Sequence, residues 1–248
     1  MWFLTTYGRL EAWQRDVLQI IREESYYFYP QFLTKIMNEG WASYWHAELF
    51  HQYKGVSAEE MIEFARLHAS VVHPGGRYSI NPYYLGYTLL VDIEKRWDQL
   101  YADGESTLTG RQKLFEVRST EDDISFLRNY LTIEMVEKLQ LFAYGQKNAD
   151  PAKPQQAQSQ DVVITSRDRD AIVEALLTPR YNYGVSQITI KDVVKNELYL
   201  EHCNRAVSFL DRNYTQQTLA YIAELWKHPV HILTHDEQGK EIHLTAEP

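Results

Sequence analysis

The chain has 248 residues, 44% of them hydrophobic, with 18 tyrosines and 6 tryptophans, which is typical of one or two folded domains and not of a disordered segment. The formal net charge of −9 argues against binding to nucleic acid, whose phosphate backbone needs clustered lysine and arginine. A single cysteine, Cys203, excludes an intramolecular disulfide and a cysteine-rich metal site. The N-terminus does not resemble a secretory signal, and the chain has no uncharged apolar run of about 18 residues. We therefore expect a cytoplasmic protein without membrane insertion.

The first long segment, Glu11–Tyr29, is predicted to be an amphipathic helix. Its apolar stripe repeats at helical spacing and consists of Trp13, Val17, Ile20 and Tyr27. Glu24 falls on the same line, where a buried carboxylate would need a partner, so we expect the helix edge to let Glu24 reach water. Because Pro30 disfavours a helical conformation at Tyr29, a bend is expected there.

The segment Tyr29–His51 is predicted to be a central buried helix. Residues spaced by four and seven share a face, which gives three stripes. The charged stripe is Lys35, Glu39 and His46, the small stripe is Gly40, Ser43 and Ala47, and the large apolar stripe is Met37, Trp41, Tyr44 and Trp45. The small stripe allows a second helix to approach closely, and the charged stripe is expected to face inward.

Further helices follow. Ser57 and Glu60 form a capping box for a helix over Ser57–Val72, on whose apolar face His68 lies. A core histidine with one hydrogen bond is the favoured interpretation of His68, with a ligand as the alternative. Asn81 is predicted to cap the next helix, which begins at Pro82. The short segment Lys113–Arg118 is predicted to be a strand or an extended piece, and two helices are predicted after it.

The second half of the chain predicts a different architecture. Residues 146–160 are rich in proline, glutamine and alanine and are interpreted as a linker between a helical domain, 1–145, and a smaller domain, 161–248. The later elements have the order β-α-β-β-α-β, with a turn at Lys195-Asn196. This order predicts a ferredoxin-like domain with an extra hairpin strand, so the fold class is α+β.

Several chemistries lack their motifs, because the sequence has no glycine-rich phosphate loop, GxSxG, CxxC or HExxH. The candidate site is therefore Glu39 with His46, and its possible neighbours are Lys35, Asn38, His68 and Asn81. A carboxylate and an imidazole two turns apart could share a metal ion or act as acid and base. They could equally form a structural pair, which the residues alone favour.

A family resemblance extends over nearly the whole chain. The run FYPQFLTKIMNEGWASYWH resembles the signature of the stage V sporulation protein R (SpoVR) family. The stretches EAWQRDVLQIIREE, INPYYLG, GRQKLFEVR, DDISFLRNYL and LWKHPVHI agree in the same order. The resemblance implies a bacterial cytoplasmic protein linked to sporulation, at formation of the spore cortex, and it implies no assigned biochemical activity.

The resemblance also implies a metal hypothesis. Members of the family are about twice this length, and the chain looks like their C-terminal half. Glu39-Gly40-Trp41-Ala42 is similar to the helix that supplies a glutamate ligand in gluzincin-type zinc peptidases. Glu39 would then be one ligand of a zinc site in full-length relatives, completed by histidines of the N-terminal half. For this chain alone we expect no cofactor and no catalysis, since it offers too few ligands.

A hypothesis of another class is a non-catalytic interaction or regulatory protein. On this view the helical part binds a protein partner, and the smaller domain serves for docking. A surface normally covered by an N-terminal half would also predict self-association. An open cleft at Glu39 and His46 favours a site, and a sealed, mutually bonded pair favours a structural role.

Overall fold

The computed structural model describes residues 1–76, 79–146, 162–178, 186–203, 209–236 and 240–248. The helices are α1 (Trp2–Tyr7), α2 (Ala12–Leu33), α3 (Lys35–Gln52), α4 (Ala58–Val71), α5 (Pro82–Ala102), α6 (Gly110–Thr120), α7 (Asp123–Tyr130), α8 (Ile133–Lys138), α9 (Arg169–Leu177) and α10 (Arg212–Trp226). The strands are β1 (Gly75–Gly76), β2 (Ser79–Ile80), β3 (Ala143–Gln146), β4 (Val162–Ser166), β5 (Gln187–Val194), β6 (Glu197–Cys203), β7 (Val230–His235) and β8 (Glu241–Ala246). The predicted α+β class is confirmed.

Local capping signals set several of the helix ends. Ser57 and Glu60 form the predicted capping box of α4, and the Asn81 side chain accepts a hydrogen bond from the Tyr83 amide at the start of α5. The prediction of a strand at Lys113–Arg118 is wrong, because these residues lie inside α6. A capping box between Thr109 and Gln112 satisfies backbone donors of the first turn and so commits the segment to a helix.

The chain divides into two compact units, one of residues 31–177 and one of residues 1–30 with 178–248. The predicted linker falls on residues that, apart from Gln146, lie outside the described part of the chain. The predicted domains, 1–145 and 161–248, are each continuous along the sequence and stay a prediction. Among the described residues, none of the helices combines the length with the apolar character that a membrane-spanning segment needs.

The unit of residues 31–177 is built on the pair α3 and α5. Its buried core includes Ile36, Met37, Tyr44, Leu85, Leu89, Leu90, Ile93, Leu114, Val117, Phe126 and Leu127, which come from four helices. The strands β3 and β4 pair antiparallel, and α9 follows β4 directly. This two-stranded sheet is therefore part of the same unit as the helices α3 to α9.

The other unit contains a four-stranded sheet in the order β5-β6-β7-β8. The hairpin β5–β6 turns at Lys195 and Asn196, which both have positive φ, as a tight two-residue hairpin turn requires. The strands β6 and β7 run parallel, and α10 connects them. Apolar side chains of α10, including Leu219, Ala223 and Trp226, form a core with one face of this sheet. Phe3 of α1 stacks on Trp226 with ring centroids 5.5 Å apart.

The order of elements after residue 161 is the predicted one, but the ferredoxin-like arrangement needs a correction. The first strand, β4, pairs with β3 and not with the four-stranded sheet. The helix after it, α9, contacts α7 and β3. The physical reason is that β3, a partner next to β4 in sequence, takes up its backbone hydrogen bonds. The sheet is therefore two hairpins joined by one crossover helix.

Candidate functional site

A buried carboxylate from another helix caps the N-terminus of α3. Pro30 is accommodated inside α2, and the break falls at Thr34, whose side chain makes no capping hydrogen bond. Instead, the Asp123 carboxylate accepts hydrogen bonds from the backbone amides of Ile36 and Met37, both at 2.9 Å. Asp123 is 1% exposed, so α7 supplies a charged cap inside the core.

The small-residue stripe of α3 faces α5, as predicted. Gly40, Ser43 and Ala47 are buried. A Cβ atom on Gly40 would lie 2.4 Å from the carbonyl carbon of Gly86, so the two backbones touch at this point. The apolar stripe is divided, because Met37 and Tyr44 are buried whereas the two tryptophans are half-buried.

The charged stripe lies at the surface. Lys35 and His46 are exposed and Glu39 is half-buried, so the expected inward orientation is wrong for the first two. The reason is that the small stripe permits the closest approach to α5 and therefore turns inward. Glu39 accepts a hydrogen bond from the Tyr83 hydroxyl, which raises the pKa of that tyrosine. The Glu39 carboxylate thus lies beside the first turn of α5.

Two of the neighbours have structural partners. Asn38 accepts a hydrogen bond from Arg118 Nη2 at 3.0 Å and donates one to Thr34 Oγ1 at 2.9 Å. Asn81 donates from Nδ2 to the Val71 carbonyl at 2.7 Å while its Oδ1 caps α5. Both amides therefore join helices within the fold.

His46 and His68 meet on the ring of Phe64. The His46 ring packs edge-on against Phe64 with centroids 5.1 Å apart, and His68 stacks on it at 5.5 Å. A third histidine, His51, lies at 5.8 Å from the same ring and its Nδ1 is 2.7 Å from the Ala47 carbonyl. Burial, followed by the nearby His46 and His51, lowers the pKa of His68.

The structure places four of the candidate residues in two different surroundings. Glu39 and Asn81 each bond to Tyr83 at the start of α5, and His46 lies with His68 around Phe64. Since a helix rises about 1.5 Å per residue, the Cα atoms of Glu39 and His46 are about 10 Å apart along the axis. Among the described residues no group of three or more histidine, cysteine, aspartate and glutamate side chains could hold a metal ion.

A polar cluster between α3, α5 and α6 was missed by sequence reasoning. Tyr44 donates a hydrogen bond from its hydroxyl to Glu94 at 2.6 Å, and Arg111 pairs with Glu48 at 2.7 Å and with Glu94 at 3.5 Å. The Arg111 guanidinium also lies over the Trp45 ring, 5.2 Å from its centroid. Tyr44 and Glu94 are 50 positions apart along the chain, and Glu48 and Arg111 are 63 positions apart, so no local motif marks the cluster.

Comparisons with known proteins agree with the sequence resemblance. Residues 1–178 match the family described as "SpoVR like protein", and residues 187–237 match "SpoVR-like C-terminal domain". An "Uncharacterized protein YcgB" of Escherichia coli (strain K12) is 36% identical over 153 residues, which are 54% of this chain and 29% of that relative. The chain thus spans less than a third of the length of this relative. No solved structure matches the chain.

Proposed function

This chain belongs to the SpoVR family, and we propose that it is an interaction or regulatory protein of the bacterial cytoplasm that acts in sporulation, at formation of the spore cortex. The sporulation role is the one that the family name suggests. A binding role, in place of a catalytic one, is supported by a single feature of the surface, the helix α2.

The helix α2 has an unusual exposure for an apolar helix. None of its 22 residues, all of which the structure describes, is buried. Its exposed large hydrophobic side chains are Trp13, Val17, Ile20, Ile21, Tyr26, Tyr27, Phe28, Tyr29 and Phe32. At 100° per residue all of these except Tyr26 and Tyr29 fall on one side of the helix, and soluble proteins rarely expose an apolar surface of this kind unless it serves an interaction.

The most exposed large hydrophobic side chains of α2 are of the residue types that dominate interface energies. Tyr27 is 71% exposed, and Trp13 and Tyr26 are each 62% exposed. Tryptophan and tyrosine are the residues most enriched at hot spots, because they bury a large area and lose little side-chain entropy. A protein partner that covers this helix would therefore gain most of its binding energy here.

The proposal is tested in a spore-forming host that carries the chain in place of its own homologous segment. We expect Ile20→Asp to reduce the yield of heat-resistant spores at least tenfold at unchanged protein level, because a charge would interrupt the apolar surface. The matched control is Gln19→Asp, which adds the same charge at the neighbouring exposed position. Equal spore yields for the two variants would overturn the proposal.

The second candidate function is a part of a gluzincin-like zinc site. It is favoured by the half-buried Glu39, which stands in the Glu39-Gly40-Trp41-Ala42 motif and is held by Tyr83. Glu39 would supply one ligand, and the histidines would come from a longer relative. Metal analysis of such a relative tests the idea: the expected result is one zinc per chain, lost on substitution of the glutamate that corresponds to Glu39 by glutamine. Absence of zinc, or zinc unchanged in the variant, would overturn it.

A further inference from the structure

Four of the exposed apolar residues of α2 form a regular row together with Glu24. Trp13, Val17, Ile20, Glu24 and Tyr27 are separated by four, three, four and three residues, the spacing of the a and d positions of a coiled coil. All five are exposed. We call this row the α2 seam. It spans 15 residues, or about 22 Å of helix, which is long enough to receive several turns of a second helix.

The two flanks of the α2 seam differ in chemistry. At 100° per residue, Ile21 and Phe28 fall on one side of it, and Asp16 and Glu23 fall on the other. Together with Glu24 inside the row, the second flank carries three carboxylates. Within the described part of the chain, none of the three takes part in an ion pair.

The arginines of α2 do not neutralise this flank, because they lie on the opposite face. Arg15 donates a hydrogen bond from Nη1 to the Thr5 carbonyl at 2.7 Å. Arg22 lies over the Tyr26 ring at 5.4 Å from its centroid. The α2 seam is therefore an apolar row with one acidic and one apolar border.

A second copy of the chain fits this pattern poorly. In a parallel pair of α2 helices, Glu24 would face Glu24 of the other copy. In an antiparallel pair centred on Ile20, Asp16 would face Glu24 and Val17 would face Glu23. Both arrangements place like charges or a charge and an apolar group opposite each other, which opposes association.

We propose that the α2 seam binds an amphipathic helix of a partner protein whose apolar stripe is bordered by lysine or arginine. The apolar side chains supply the affinity, and the basic residues pair with Asp16, Glu23 and Glu24. This proposal rests on the proposed function, since it names the partner chemistry for the same surface.

The test uses the whole chain and two labelled synthetic helices of 21 residues with the same leucine stripe, one bordered by lysine and one by glutamate. Fluorescence anisotropy is expected to show at least tenfold tighter binding of the lysine helix, with the preference reduced at high salt. The double variant Glu23→Lys/Glu24→Lys is expected to reverse the preference. Glu63→Lys/Glu224→Lys, which changes the net charge equally at exposed positions elsewhere, is expected to keep it.

A further variant separates the partner chemistry from the surface itself. Ile20→Asp is expected to weaken binding of the lysine helix at least tenfold, and Tyr27→Asp gives a second, independent break of the α2 seam. If both synthetic helices bind equally and Ile20→Asp weakens both, the basic partner is wrong and the docking surface stands. If neither variant changes any binding, the docking surface and the proposed function fail together. A dimer of the free chain that Ile20→Asp dissociates in light scattering would replace the proposed partner by a second copy.

Discussion

Gly40 and Gly86 meet backbone to backbone where α3 crosses α5. A Cβ atom on Gly86 would lie 2.2 Å from the Ile36 carbonyl oxygen, and one on Gly40 would lie 2.4 Å from the Gly86 carbonyl carbon. Side chains at these positions would push the helices apart, although both helices contribute several side chains to the core of their unit. The contact therefore fixes which face of α3 turns inward.

The first prediction concerns this contact. Gly40→Ala is expected to lower the free energy of unfolding by about 2–3 kcal/mol through overpacking. The sign of the change in unfolding free energy is informative. At an ordinary helix position the same substitution would stabilise the protein, because alanine is favoured over glycine by about 1 kcal/mol. Urea denaturation measures the effect. The control, Ala42→Ser at an exposed position of the same helix, is expected to change stability by less than about 0.5 kcal/mol.

The second prediction concerns the cap of α3. Asp123→Asn keeps the shape of the side chain but turns one acceptor into a donor that faces a backbone amide. We expect a loss of about 1.5–3 kcal/mol in unfolding free energy, because one of the two charge-assisted hydrogen bonds to the amides of Ile36 and Met37 is lost. Asp170→Asn, at a side chain that is 81% exposed, serves as the control and should leave stability nearly unchanged. Equal stability of the two variants would show that the Asp123 charge does not hold α3.

Several elements of the fold are determined by local signals in the sequence. The capping box at Ser57, the cap at Asn81 and the hairpin turn at Lys195-Asn196 are each decided by residues within three or four positions. The same kind of signal, at Thr109 and Gln112, lies just before Lys113–Arg118 and makes this segment helical in place of the predicted strand or extended piece. Elements with such signals are predictable because their determinants lie within the segment.

The spacing of residues along a helix was more predictable than which face of the helix is buried. The spacing in α3 correctly grouped its residues into stripes, but it did not show that the close approach of Gly40 to Gly86 turns the charged stripe outward. The residues of the predicted apolar stripe of α2 lie within one helix, yet they are exposed. A period shows which side chains share a face, whereas burial depends on what the rest of the chain places against that face. Asp123, which caps α3, and β3, which pairs with β4, also lie outside the segments that they stabilise.

The third prediction concerns the cluster of Tyr44, Glu94 and Arg111. Burial and then the hydrogen bond to Glu94 raise the pKa of Tyr44 above the ordinary value of 10.0. Tyr44→Phe removes the 2.6 Å hydrogen bond to a charged acceptor and is expected to cost about 1–3 kcal/mol of stability. Spectrophotometric titration should show one fewer tyrosine ionising above its ordinary pKa in the variant. Tyr101→Phe, at a residue 51% exposed, is the matched control.

The last prediction concerns the pH dependence of the histidine group around Phe64. The pKa of His68 lies below its ordinary value of 6.5, first because the ring is desolvated and then because His46 and His51 repel its charged form. The unfolded state therefore binds a proton more readily than the folded state, so this contribution to stability is complete above pH 6.5 and is lost as the pH falls through the lowered pKa. We expect the urea midpoint of the wild type to fall more between about pH 7 and pH 5 than that of His68→Gln, because this pH range contains the ordinary histidine pKa.

The variant His46→Gln removes one repelling neighbour and should raise the pKa of His68 in an NMR titration, with Tyr87 still packed 5.2 Å from its ring. A His68 pKa at or above the ordinary value, or one that His46→Gln does not move, would contradict the coupling of these histidines.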